Sequence, residues 1–325
     1  MNQNRIVELD ALKGISIIGV LVLHSSFEGR FSQETLSIQA TLARLFDWAV
    51  LGFFFCSGCL HNSSAPLIMT IKKRAVSLLI PFCLYNLIYN FSFVAMEALG
   101  WIPKGTIELN SHLLYTGLFQ SPAFQLYFLP YLFLISTGVG GLEKLGQGRY
   151  NRVYFAIFLL VILFYLDQGY PTISHGSDYH KLPMYLAMYL IGLICRPFIG
   201  MSFAAPWMIM AALAAVLCIL VFFRFCEVSL LVPPLLLALA GAVRPVCQIK
   251  PLLYLGEMSG SIYVWHTPLV LPAVTRLLAG CGIPSILNLM GSIVLALAIC
   301  LLARQGLDSM FVILTKKPAP KYITL

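Results

Sequence analysis

The stretch Leu9–Ser26, LDALKGISIIGVLVLHSS, is apolar enough to enter a bilayer, yet carries Asp10, Lys13 and His24, which a lipid-facing helix would not have. The gaps between them are three and then eleven residues. At 3.6 residues per turn both gaps return to nearly the same face, so Asp10, Lys13, Ile17, Leu21 and His24 form one stripe along a helix. Lys13 and His24 would stand about 16 Å apart along the axis at 1.5 Å per residue, roughly half the hydrocarbon thickness of a bilayer. Ionisable groups at such depth are costly and usually face a bundle interior or a wet cavity that serves function. The stripe is therefore the first place to seek chemistry.

The rest of the chain has the same character. Of its 325 residues 59% are hydrophobic and 10% are charged, with a mean hydropathy of +0.87. A soluble domain is about a quarter charged, so the composition excludes an ordinary soluble enzyme and points to an all-α integral membrane protein. Ten apolar segments are expected to span: Leu12–Phe27, Leu45–Leu60, Val76–Leu99, Ala123–Leu142, Val153–Leu166, Leu182–Ile199, Pro206–Phe223, Val228–Val243, Leu252–Val274 and Ile286–Leu302. Several fall short of the ~20 residues of a full span, so the helices are expected to extend into their flanks. They are too long and continuous for barrel strands. The longest loops are expected at Glu28–Arg44 and Gly100–Pro122, both outside. No internal repeat, low-complexity tract or soluble domain stands out, so residues 1–325 read as a single membrane domain.

Charge placement orients the bundle. With the N-terminus in the cytoplasm, fifteen of the 21 lysines and arginines fall on the inner side, including Lys13, Lys72, Lys73 and Arg74. The positive-inside rule prefers this arrangement, which also puts the C-terminus in the cytoplasm. Inner loops facing anionic lipid account for the net charge of +8 without a nucleic-acid partner. The basic start and apolar run to Leu23 imitate a signal peptide. Asp10 and Lys13 interrupt that run and no small-residue cleavage site follows His24, so the expectation is a retained first helix.

Eight of the nine cysteines lie within or at the edges of apolar segments. Cys56 and Cys59 have redox or metal spacing, with His61 nearby, but no second pair completes a zinc set; packing is the expected role, and no metal is expected.

Other polar residues fall into groups. Ser57 and Gly58 sit in LGFFFCSGCL, where small residues permit close helix approach or a backbone contact to a ligand. Lys72, Lys73 and Arg74 suit either topology or a phosphate-rich cytosolic ligand. Pro81 is expected to kink or break the third segment, near Tyr85, Asn86 and Asn90. Gln125 and Tyr127 fall at the outer face, on the side of His24. Glu257, Ser259, Ser261, Tyr263 and His266 make the ninth segment too polar for a passive anchor.

In order along the chain, LDALKGISIIGVLVLH resembles the opening LD-x-LRG…H of the membrane acyltransferase-3 family. FFFCSGCL resembles its FF-x-x-SG, and KKRAVSLLIPFCLYN its basic stretch followed by L-I-P-Y. FQLYFL resembles HLWFL, and LGEMSGSIYVWH resembles LG-x-x-S-x-x-I-Y-x-x-H. Length and the layout of the last helices are closest to the enterobacterial common antigen O-acetyltransferase type.

The resemblance implies an O-acyltransferase that moves an acyl group, usually acetyl from acetyl-CoA, to a hydroxyl of a cell-surface polysaccharide or lipid-linked sugar. It also implies a multi-pass protein of the bacterial inner membrane. His24 is then the candidate base, with Lys13 and Asp10 orienting the donor. Lys72, Lys73, Arg74 and Ser57 would bind the donor, and Gln125, Tyr127, Tyr263 and His266 the acceptor. Lys13 replaces the family arginine, keeping the charge but losing the bidentate fork. Gln125 and Tyr127 stand where relatives often have His and Trp. Two other classes compete with this reading: a transporter or flippase of a glycan precursor using the stripe as its path, and a scaffold in which the polar residues only lock helices together.

Overall fold

The structure, a computed structural model, describes residues 6–25, 31–62, 66–98, 100, 124–145, 156–157, 159, 182–199, 231–242 and 249–315. Every regular element among them is helical. In chain order these are α1 (Val7–His24), α2 (Gln33–Leu45), α3 (Ala49–Cys59), α4 (Leu67–Arg74) and α5 (Ile80–Ala98). A short tight turn, Phe124–Tyr127, leads into α6 (Phe128–Leu145). Then follow α7 (Leu182–Cys195), α8 (Val232–Ala242), α9 (Lys250–Trp265), α10 (Leu271–Gly280) and α11 (Ser285–Thr315). Among the described residues three helical stretches are long and apolar enough to cross a membrane, Gln33–Cys59, Leu67–Ala98 and Ser285–Ser309. The expected segment Pro206–Phe223, most of Val153–Leu166 and the loop beyond Gly100 lie outside the described residues.

Three expectations need correction. The outer loop expected over Glu28–Arg44 contains α2. Its polar sequence QETLSIQATLARL lacks the apolar run used to find spans, but its start is well signalled: Ser32 Oγ accepts the Thr35 N–H at 3.3 Å and Glu34 sits in the first turn. Ser32→Ala is expected to cost α2 about 1 kcal/mol, seen as faster amide exchange over residues 35–39 with other helices unchanged.

The third segment does not break at Pro81. One wide turn over Ala75–Leu79, closed by the Ile80 N–H on the Ala75 carbonyl, absorbs the missing proline N–H and the bulk of its ring, and the helix continues.

The ninth segment is not one helix. Thr267, immediately before Pro268, takes φ −139° and ψ 151°, the extended conformation that proline imposes on its predecessor. The chain therefore divides there into α9 and α10.

The described chain forms two compact units. The first comprises residues 1–19, 45–70 and 134–257. Its centre is the α3–α7 contact, where Gly58 lies against the Tyr189 carbonyl and Gly192 against the Phe55 carbonyl. Phe54 and Tyr185 stack beside them, with ring centroids 4.6 Å apart. Gly58 thus serves packing. The start of α1 meets the start of α9 in the same way, Gly256 against the Asp10 carbonyl and Gly14 against that of Leu252.

The second unit comprises residues 20–44, 71–133 and 258–325. Here α10 and α11 form a hairpin. Gly282, at φ +71°, lets its own N–H reach the Ala279 carbonyl (3.0 Å) and the Ile283 N–H reach that of Leu278 (3.1 Å). These two bonds satisfy carbonyls that the helix end would leave open. Buried polar groups lock the pair: Ser292 Oγ donates to Asn288 Oδ1 at 2.9 Å, and Asn288 Nδ2 donates to the Thr275 carbonyl at 3.1 Å.

Candidate functional site

The second unit brings two histidines together. His24 ends α1. The carbonyl of Val22, one of those the helix end leaves open, accepts from Gln39 Nε2 of α2 (3.0 Å) and from Ser25 Oγ (2.7 Å). Gln39 is buried, so α2, absent from the sequence expectation, holds the turn that presents His24. His266 follows α9, with its ring centroid 5.2 Å from that of His24 and the planes tilted by 49°.

His266 is fully buried. Its Nδ1 lies 2.7 Å from the Tyr263 carbonyl and 3.1 Å from that of Ile262. Carbonyls only accept, so Nδ1 carries the proton. The break at Thr267 creates this arrangement, because helical bonding stops there and the imidazole caps the last turn of α9 instead.

Aromatic rings lie next to His266 and along α5 and α6. Tyr263 is buried, 5.8 Å from the His266 ring and 5.2 Å from Phe128 by centroids. Tyr127 adjoins Tyr131 at 5.7 Å. On α5, Tyr85, Asn86, Tyr89 and Asn90 are all buried, and Tyr85 meets Trp265 edge-on at 5.5 Å. Of the residues expected to bind acceptor, His266 meets His24 directly and Tyr263 lies on the other side of that contact, against His266. Tyr127 joins through its neighbour Phe128, and the Gln125 side chain lies outside the described residues.

Lys72 and Lys73 are exposed and Arg74 is half-buried, on the last turn of α4 before the wide turn. Being consecutive, they fan around the last turn of the helix and concentrate positive charge there.

The first unit holds the rest. Lys13 Nζ lies 2.6 Å from Asp10 Oδ1, so the two form a largely buried ion pair one turn apart. Ser57 is half-buried on α3, next to Cys56 and Cys59, which are buried free thiols.

Two polar groupings were not legible in the sequence. Buried His61 receives the Tyr189 hydroxyl at Nδ1 (2.7 Å) and faces Glu143 Oε2 with Nε2 (3.2 Å), tying the end of α3 to α6 and α7. The carboxylate can only accept, so Nε2 bears the proton and Nδ1 accepts from the tyrosine. In the second unit, Arg304 donates to Asp308 Oδ2 (2.8 Å) and to Ser261 Oγ (3.0 Å), joining α11 to α9. The i,i+4 spacing of Arg304 and Asp308 on an apolar helix was the available signal; the partners across helices had none.

A family model described as an acyltransferase domain, that of the acyltransferase-3 family, matches residues 6–305. Comparison with curated proteins and with solved structures returned no match. The matched span takes in α1 through the Arg304 turn of α11, and with them both histidines and every residue singled out from the sequence. On that coverage the chain belongs to the acyltransferase-3 family, and it is a membrane acyltransferase.

Proposed function

We propose that the protein is an O-acetyltransferase that moves the acetyl group of acetyl-CoA to a hydroxyl of a cell-surface glycan or its lipid-linked precursor. The reading is carried by the pairing of His24 with His266 inside a chain that matches an acyltransferase domain over residues 6–305. Transfer to a hydroxyl needs a base for the hydroxyl proton and a return path for that proton to the leaving thiolate. A half-buried imidazole at the end of α1 is suited to both. Tyr127, Tyr263 and the rings around them supply the flat aromatic faces and hydroxyls that suit a sugar; Gln125 is assigned to the same acceptor side.

In this reading the chain is a ten-helix bundle of the bacterial inner membrane with both termini in the cytoplasm. The likeness of its layout to the enterobacterial common antigen type makes a bacterial surface glycan the acceptor class to test. Donor enters from the cytoplasm. Lys72, Lys73 and Arg74 hold its phosphates, since three consecutive cations at one helix end suit a polyanion that wraps that turn, and Arg74 adds a planar fork. Ser57 is assigned to the donor as well. Asp10 and Lys13, paired at 2.6 Å, orient the donor path.

Changing Lys72, Lys73 and Arg74 together to Gln is expected to raise KM for acetyl-CoA about tenfold while kcat stays within about twofold, because three phosphate contacts remote from the reacting carbon give uniform binding. The test is thiol release from acetyl-CoA by the protein in lipid nanodiscs, supplied with glycolipid extract. Release that depends on the extract supports the reading. An unchanged KM in the triple variant would remove these cations from the donor site.

A further inference from the structure

We propose that His266 is the proton partner of His24, so that the base of the reaction is a pair of imidazoles. This rests on the acyltransferase reading of His24. The geometry points to it in three ways. The rings are 5.2 Å apart by centroid, so a modest turn of one ring brings a nitrogen of each into hydrogen-bond reach. The tautomer of His266 is set by the backbone: with Nδ1–H held by the carbonyls of Tyr263 and Ile262, the neutral ring carries its lone pair on Nε2. That Nε2 is buried and has no hydrogen-bond partner among the described residues. A buried acceptor left in this way is costly unless something brings it a proton.

The step balances. As the acceptor oxygen bonds to the acyl carbon, its proton passes to one nitrogen of His24. The proton on the other nitrogen of His24 passes to Nε2 of His266, which becomes an imidazolium. Its Nδ1–H remains against the two carbonyls at the C-terminal end of α9, where positive charge is favoured by the open carbonyls. Collapse of the tetrahedral adduct breaks the C–S bond. The proton then returns through His24 to the thiolate, releasing the CoA thiol and the acylated hydroxyl.

A structural role for His266 makes a different prediction. As a helix cap alone, its contribution would be kept by Asn, whose Nδ2 can donate where Nδ1–H does now. The experiment compares wild type, His24→Ala, His266→Asn and His266→Ala, each as full-length protein in host membranes with acetyl-labelled acetyl-CoA and the native acceptor. We expect His266→Asn and His266→Ala both to lose about 100-fold or more in kcat, with KM for acetyl-CoA within threefold, and melting of the Asn variant close to wild type. Recovery of wild-type kcat by Asn, while Ala fails, would make His266 a cap and overturn the proposal. So would full activity of both. Transfer lost in His24→Ala but kept in His266→Asn would leave the acyltransferase reading standing and remove only the pair. Absence of transfer by wild type would overturn that reading, and the pair with it.

Discussion

His24→Ala is expected to lower acetyl transfer by about 10³-fold or more, while the variant inserts and melts like wild type. General base catalysis by a placed imidazole contributes about 10²–10⁴-fold, and loss of His24 also breaks the return path for the proton to the leaving thiolate. The fold should tolerate the change. His24 is half-buried at the end of α1, and Gln39 and Ser25 hold the turn around it through the Val22 carbonyl. The measurement is initial-rate transfer from labelled acetyl-CoA, normalised to folded protein by size-exclusion profile. If the polar stripe only locked helices, the order would reverse, with stability falling more than activity.

The second large effect lies in the first unit and on stability. Gly192→Leu is expected to destabilise the protein by at least about 3 kcal/mol, enough to prevent recovery of monodisperse protein in mild detergent. A Cβ at Gly192 would run into the backbone carbonyl of Phe55, and one at Gly58 into that of Tyr189. Backbone cannot give way as the end of a flexible side chain can, so the α3–α7 contact must open. That contact also carries the Phe54–Tyr185 stack and stands beside the His61, Tyr189 and Glu143 hydrogen bonds. Gly138→Ala on α6 is the control. A Cβ there meets nothing within 4 Å among the described residues, so the substitution should be neutral or slightly stabilising through helix propensity. Comparable melting of Gly192→Leu and wild type would show that the close approach of α3 and α7 is not required.

How much was legible in the sequence follows from which forces are local. The first helix and its polar stripe were readable because 3.6-residue periodicity needs no partner, and α1 runs Val7–His24 with Asp10 and Lys13 paired. Among the described residues, the apolar runs in Leu67–Ala98 and Ser285–Ser309 were readable because hydropathy is also local, though these helices reach beyond the runs: Leu67–Ala98 includes the cations at 72–74, and α11 continues past Arg304, which pairs with Asp308 one turn on. The helix α2 was missed because an apolar scan is blind to a polar helix, although Ser32 and Glu34 mark its start. The break at Thr267 was written in the Thr-Pro dipeptide but hidden inside an apolar run. Pairings across the chain had no local signature. Nothing near His24 announces His266, and nothing near Tyr189 announces His61. The family motifs placed His266 among the important residues, but only the end of α9 explains which of its nitrogens holds the proton.

The most direct measurement follows acetyl-labelled acetyl-CoA into the glycan and lipid-linked fractions of membranes containing the wild-type chain or His24→Ala. The account predicts label in a hydroxyl ester of one of those fractions, released by mild alkali, present with wild type and lost with His24→Ala. Equal labelling by both proteins, or none by wild type with host glycans present, would contradict it.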